Sequence, residues 1–377
     1  MQAKKKRIGF LYLDEIHHLF HFISVAVELS KTEDIEILTH PRCHDLLFES
    51  IEKLGGTNLK VKRLKTKRFR RFTDKLKKRD LPRKGFWIKK HKNYLLENFD
   101  ALIFTDYFHH YLLKSRKELY PKLIKFGHGP PGRAYSYKKD LLDFDAQLLV
   151  GQFNYDQFEK MGILGPKPIT IGYPKIDVVE KDEKKEFFKN NKPTVFYNPH
   201  FDPEYTSWDK EGLKVLEYFY NQDKFNLIFA PHLNLFQELK GDRNLSEIPP
   251  KFFKVDNILI DPGSVDSVNM SYTKYADIYL GDVSSQVFEF IIEPRPCIFL
   301  NPNNFDYTDD ISFRFWKIGE VISGVEELDQ ALENINSVFE GYRPVQERMT
   351  AENFYTEEGS TASERAAKAI LDFLNHS

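Results

Sequence analysis

The feature that most constrains this chain is a rhythm that runs through it twice. In the first half, short and almost continuously apolar runs ("KRIGFLYL", "DIEILTH", "ALIFTD", "KLIKFGHG", "AQLLVG", "PITIGYP") alternate with helical patterns such as "HHLFHFISVAVELSK" and "NYDQFEKMG". Runs without polar alternation predict strands covered on both faces, and hence a parallel sheet. Residues 178–192, "VVEKDEKKEFFKNNK", lose the rhythm and become charged. It then restarts, with "TVFYNP", "FNLIFAPH", "NILIDPG", "ADIYLGD" and "PCIFLNP" as strands and "DKEGLKVLEYFYNQ" and "SSQVFEFIIE" as helices. "VEELDQALENINSVFEGY" and "ASERAAKAILDFLNH" close the chain as amphipathic helices. The expected fold is α/β, with two Rossmann-like domains facing across a cleft. Residues 1–177 form the first domain, 178–192 a linker and 193–345 the second, while 346–377 supply a C-terminal helix packing back on the first.

Composition narrows the function classes. The 377 residues, 41% hydrophobic and 29% charged, suit two domains with sizeable cores. A formal net charge of −1 gives the whole molecule no case as a nucleic-acid binder. Cys43 and Cys297 lie far apart and outside any CxxC pattern, which points to a reducing compartment and away from structural zinc. The opening "MQAKKKRIGFLYLDE" is basic and then apolar, but the apolar run is short and meets Asp14 and Glu15 with no small-residue cleavage site. The expectation is a cytoplasmic protein, at most peripheral on the inner face of the cell membrane. Walker A, GxGxxG, HExxH and GxSxG patterns are absent.

Ligands of such sheets sit beyond the carboxyl ends of the strands, so polar residues just after each apolar run are the candidates. His17, His18 and His21 follow the first strand, and His128 follows a later one inside "FGHGPPGR", whose Arg133 joins them as an acceptor-side candidate. The second half supplies Asn198, His200, His232, Asp261, Gly263, Asp282, Ser284 and Ser285 at strand ends. Histidine serves as a base near neutral pH and, when protonated, as a donor to phosphate. "GDVSSQVFEF" places two hydroxyls at a helix start, where backbone N–H groups converge on an anion; taken alone, one serine there is simply an N-cap. Glu289, a turn further on, suits a ribose hydroxyl or a backbone cap. His17 and His21 share a helix face, but no third ligand of suitable type is near, so an acceptor pocket or plain packing is expected rather than a metal.

Residues 62–92, "KRLKTKRFRRFTDKLKKRDLPRKGFWIKKHK", are dense in Lys and Arg, opposed only by Asp74 and Asp80, with Phe69, Phe72, Phe86 and Trp87 interleaved. The density suggests an arm lying on anionic membrane or a phosphate-rich polymer rather than an inert solvated helix. No fold-level motif supports nucleic acid.

Several stretches together resemble the CDP-glycerol glycerophosphotransferase family, which includes teichoic-acid primases and polymerases on the GT-B fold. The resemblance is carried by "FGHGPPGR", "VFYNPHFDPEYTSW", "FAPHLN" and "ADIYLGDVSSQVFEFIIEPRPCIFLNP", and covers roughly residues 100–305. It implies that His128 deprotonates an acceptor hydroxyl, that His232 holds the donor pyrophosphate, and that Asp282, Ser284 and Ser285 cradle its phosphates. Ser207, in the second of these stretches, joins the donor-binding candidates, and Glu289 stands where the family often has Asp. Implied partners are a CDP-activated donor and a polymer or lipid-linked acceptor. No cofactor is implied, and a Mg2+ counter-ion is left open by a sequence with no metal motif. The chain departs from the family at His128-Gly129-Pro130 (usually His-Gly-Thr), at Pro199-His200 (usually Pro-Thr), at Val283 (usually aromatic) and at "FRFWKIGEV", residues 313–321, which replaces an Arg-Gly stretch. These departures leave the transferred group open between glycerol phosphate, another polyol phosphate and a sugar. A GT-B glycosyltransferase using a nucleotide sugar is the alternative. A nucleotide-sugar 2-epimerase and a non-catalytic polymer-binding module rank below it.

Overall fold

The computed structural model describes residues 4–13, 16–77, 79, 81–127, 129, 138–179, 185–236 and 243–376. Its strands form two sheets in which every pairing is parallel. The first contains β1 (Arg7–Tyr12), β2 (Asp34–Thr39), β3 (Lys60–Arg63), β4 (Ala101–Phe104), β5 (Lys122–Phe126), β6 (Ala146–Leu149) and β7 (Pro168–Thr170), in the order β3-β2-β1-β4-β5-β6-β7. The second contains β8 (Thr194–Asn198), β9 (Asn226–Phe229), β10 (Ile258–Ile260), β11 (Ile278–Gly281), β12 (Cys297–Leu300) and β13 (Glu320–Ile322), in the order β10-β9-β8-β11-β12-β13.

The apolar runs became interior strands for a simple reason. Every residue of β4, β6, β8, β9, β11 and β12 is buried, as helices on both faces of a parallel sheet require. The edge strands β3 and β13 are only partly buried and carry no apolar run, and the sequence reading missed both. In each sheet the strand order reverses once, between β1 and β4 and between β8 and β11. Those switch points are where an open α/β sheet offers a crevice.

The described residues up to 129, with 138–179 and 352–376, make one compact unit, and 185–351 make the other. Of the expected linker, residues 185–192 are packed rather than loose: Phe187 lies 4.9 Å from Tyr272 and 5.1 Å from Tyr275, and Phe188 is buried. The helix expected to stop near Tyr342 instead runs unbroken from Leu328 to Asn353 with Pro344 inside it, a correction to the sequence reading. Proline removes one backbone donor from a helix, but tertiary contacts hold this one. The buried Gln346 side chain accepts from Arg295 N–H at 3.0 Å and donates to the carbonyls of Arg295 and Ile318 at 2.8 and 2.9 Å. The chain then re-enters the first unit and ends in a helix, Ala362–Asn375, opened by a Thr361/Glu364 capping box. Arg365 fastens it by donating to the Ile171 carbonyl at 2.9 Å, and Ser363 by donating to Asp177.

Candidate functional site

In the second unit, the ends of β8 and β11 flank the switch point, and the expected donor-side residues gather there. β8 delivers Asn198-Pro199-His200, β9 delivers Pro231-His232, and β11 delivers Asp282 to Ser285. The rings of His200 and His232 lie 5.3 Å apart, with the Phe201 ring 4.4 Å from the first and 4.6 Å from the second. Each imidazole is oriented by a tight local bond. His200 Nδ1 accepts from Asp202 N–H at 3.0 Å, and His232 Nδ1 accepts from Asn234 N–H at 3.2 Å. An accepting Nδ1 fixes the neutral ring as its Nε2–H tautomer, so both rings are held as donors through Nε2.

Asp282 is the centre of this arrangement. It is fully buried, and its carboxylate accepts from His200 N–H at 2.9 Å, from Ser207 N–H at 2.6 Å and hydroxyl at 2.9 Å, and from its neighbour Val283 N–H at 2.6 Å. Burial pushes its pKa up to about 6, against the opposing pull of those N–H groups. A carboxylate so occupied organises the loops after β8 and β11. Ser207 is likewise fully buried, its hydroxyl shared with Tyr197 at 2.9 Å, and so acts by position. Asn198, also fully buried, donates to the Ala230 carbonyl at 2.7 Å and ties β8 to the turn that carries His232.

Asp261 is engaged in the same way. Its carboxylate accepts from Gly263 N–H at 3.0 Å, from Ser264 N–H at 2.8 Å and hydroxyl at 2.5 Å, and from the Tyr272 hydroxyl at 2.7 Å. It shapes its own turn, in which Gly263 adopts φ +152, a conformation side chains disfavour. The helix after the serines is also shorter than the sequence suggested, Gln286–Phe290, five residues, so its dipole offers little. Ser284 is buried and Ser285 exposed, which leaves Ser285 as the accessible hydroxyl. Glu289 is buried in the first turn.

Two residues outside the candidate site list support this site. Trp316, from the unmatched "FRFWKIGEV", donates through Nε1 to the Asp282 carbonyl at 2.7 Å. Arg295, just before β12, is a staple: its guanidinium donates to the carbonyls of Ala276 at 2.7 Å, Thr273 at 2.6 Å and Phe290 at 2.5 Å. Neither residue directly follows an apolar run, so the strand-end rule does not select it.

In the first unit, His128 and Arg133 lie outside the described residues. Their flanking glycine is informative: Gly129 has φ +94, and a side chain there would approach the Tyr173 hydroxyl at 3.6 Å and His21 Cε1 at 3.8 Å. Gly129 is therefore close to His21, which is buried and lies 5.5 Å from the Tyr173 ring. His17 and His18 occupy a 3-10 turn, rings 4.3 Å apart.

The basic segment divides. Trp87 was expected at a membrane interface but is fully buried, donating to the Leu64 carbonyl at 2.8 Å, and Phe86 lies under Arg70 at 3.7 Å. Lys62 and Lys84 are engaged with Tyr94 and Asp106. Outward among the described residues of the segment are Arg63, Lys65, Arg83, Lys89 and Lys90 and one face of the helix Arg68–Leu76, where Phe69, Phe72 and Leu76 are 67%, 66% and 73% exposed beside the exposed Lys67, Arg68, Lys75 and Lys77. Among the described residues, no helix is long and apolar enough to cross a membrane.

No family profile matches the sequence, and no curated protein matches it. Solved structures do. The wall teichoic acid polymerase TagF, in a variant soaked with CDPG, is similar with a TM-score of 0.63 at 14% identity, over 99% of this chain and 90% of that one. UDP-GlcNAc 2-epimerase from Neisseria meningitidis, bound to UDP-GlcNAc, is similar with a TM-score of 0.60 at 14% identity, over 99% of this chain and 100% of that one. S. aureus MnaA with UDP gives 0.62 at 14%, over 98% and 97%. At such identities the likeness shows the fold, and the fold is GT-B.

Proposed function

We propose that this protein is a transferase of cell-envelope polymer synthesis that moves a polyol phosphate, such as glycerol phosphate, from a CDP-activated donor to a hydroxyl of a polymer or lipid-linked acceptor. The observation that carries the reading is the pair of imidazoles at the β8/β11 switch point, His200 and His232, each held with Nε2 as donor. Two oriented N–H donors with the exposed Ser285 hydroxyl suit a pyrophosphate whose charge grows as it leaves. The similarity to TagF, studied with CDPG, supports a cytidine donor. His128, assigned on the sequence alone, takes the proton of the acceptor hydroxyl as its oxygen bonds to the polyol-bearing phosphorus. The P–O bond to the second phosphate breaks and CMP leaves. No organic cofactor enters this scheme, and assays with and without EDTA read any Mg2+ dependence. Peripheral association with anionic membrane through the Arg68–Leu76 helix is part of the same reading, since it would bring the enzyme to a lipid-linked acceptor.

A nucleotide-sugar reaction is the second reading, favoured by the equally extensive similarity to UDP-GlcNAc 2-epimerases. Incubation of the full chain with CDP-glycerol, CDP-ribitol or UDP-GlcNAc separates the two. Acceptor-dependent release of CMP supports phosphotransfer. Release of UDP, or an epimerised sugar, with no CMP from either CDP-polyol would overturn it. His128→Ala is expected to lower kcat by roughly 10²–10⁴ while nucleotide affinity holds.

A further inference from the structure

After β4 the chain makes a short helix, His110–Leu113, preceded by His109 at its N-cap. The 3-10 turn Lys139–Asp143 lies against this corner. His109 Nε2 is 2.9 Å from Asp143 Oδ2, His110 Nδ1 is 3.8 Å from the same oxygen, and the three ligand atoms all fall within 4.8 Å of one another. Donors held at about 2.0–2.2 Å around a tetrahedral ion lie roughly 3.3–3.6 Å apart, a spacing that the two measured edges bracket.

We propose that His109, His110 and Asp143 bind one divalent transition-metal cation, Zn2+ being the ion that two imidazoles and a carboxylate suit best. Each donor is placed for the task. The His109 ring is fully buried, packed 4.2 Å from Phe144 and 6.2 Å from Phe104, so its direction is fixed. His110 turns its other nitrogen, Nε2, toward Asp140 at 3.6 Å, the outer carboxylate that commonly orients a ligating histidine. His110 and Asp143 are 45% and 38% exposed at their side chains, which opens the fourth position to water. Metal-bound His109 would carry its proton on Nδ1, a buried atom with no acceptor among the described residues. That cost makes the site an exchangeable one rather than a closed structural zinc. The ion would staple the segment after β4 to the turn that leads into β6.

The test uses the full chain stripped with EDTA and titrated calorimetrically with Zn2+ alone, with Co2+ absorption reporting coordination geometry. His110→Ala and Asp143→Asn alter exposed side chains, and thermal melting without metal verifies that both fold. One equivalent of Zn2+ is expected in the unaltered protein, weakened at least roughly tenfold in either variant. Zn2+ should raise Tm in the parent protein and not in the variants. No binding by the unaltered protein, or unchanged stoichiometry and affinity in both variants, would overturn the proposal and leave a plain His–Asp pair.

Discussion

The carboxylate of Asp282 at the end of β11 accepts both the N–H and the hydroxyl of Ser207, at 2.6 and 2.9 Å, across 75 residues of sequence. With His200 N–H as a further donor, this one side chain sets the loop that aims His200 and, through the ring contact, His232. Removing it leaves buried donors without partners, at about 1–3 kcal/mol each. Asp282→Ala is therefore expected to destabilise the second unit by about 3–5 kcal/mol, measured by urea denaturation. Unaltered stability with lost nucleotide affinity would instead make Asp282 a direct ligand.

The two serines after β11 should separate. Ser285 is exposed, so Ser285→Ala is expected to weaken binding of CDP-glycerol by the worth of one hydrogen bond, about 0.5–1.5 kcal/mol, with Tm unchanged. Ser284 is buried, and Ser284→Ala should lower Tm. Calorimetry with nucleotide and thermal melting of both variants check the pair. An unchanged affinity in Ser285→Ala places the phosphates elsewhere.

The Arg68–Leu76 helix should bind vesicles in two separable ways. Changing Lys67, Arg68, Lys75 and Lys77 to Gln removes about 1 kcal/mol per residue of attraction to an anionic surface, and should abolish the salt-sensitive part of binding. Replacing Phe69 and Phe72 with Ser should remove the part that survives high salt, because those rings are the outward apolar ones. Trp87→Phe is expected to change stability and not vesicle binding. Equal binding of the parent protein to neutral and anionic vesicles would refute the electrostatic component.

His40, after β2, gives a pH-dependent stability. It is 3% exposed, and burial first, then the nearby Arg42 and Arg71 against an opposing Asp74, lowers its pKa to about 4. Unfolded chain takes up a proton near pH 6.5, and the folded protein does so only near 4. Between those values the unfolded state binds more protons, so stability present above pH 6.5 is lost as pH falls toward 4, by at most about 3 kcal/mol. Asn can replace the His40 Nδ1 acceptor of Arg42 N–H without titrating. Denaturation of His40→Asn across pH 7 to 4 should show a shallower decline than the parent protein. Parallel curves would mean that His40 titrates normally.

The sequence by itself determined the two parallel sheets, because burial on both faces demands apolar runs and nothing else in the chain supplies them. It also placed His200, His232 and Ser285 at strand ends, since in such sheets the residue after a run must emerge at the ligand edge. Other features had no local signature. β3 and β13 sit at sheet edges, where partial burial leaves Lys60–Arg63 and Glu320–Ile322 without an apolar pattern. Trp87 and Phe72 look alike within the basic segment, yet one is buried under Leu64 and the other faces outward, because only packing chooses a helix face. Pro344 reads as a stop until Gln346 is seen anchored to Arg295 and Ile318. Above all, whether Asp282 and Asp261 reach a ligand or hold a loop depends on which donors come within 3 Å of them. For Asp282, strand order in the folded sheet made that choice, by setting Ser207 and His200 beside a carboxylate some 80 residues further along the chain, whereas for Asp261 its own turn did.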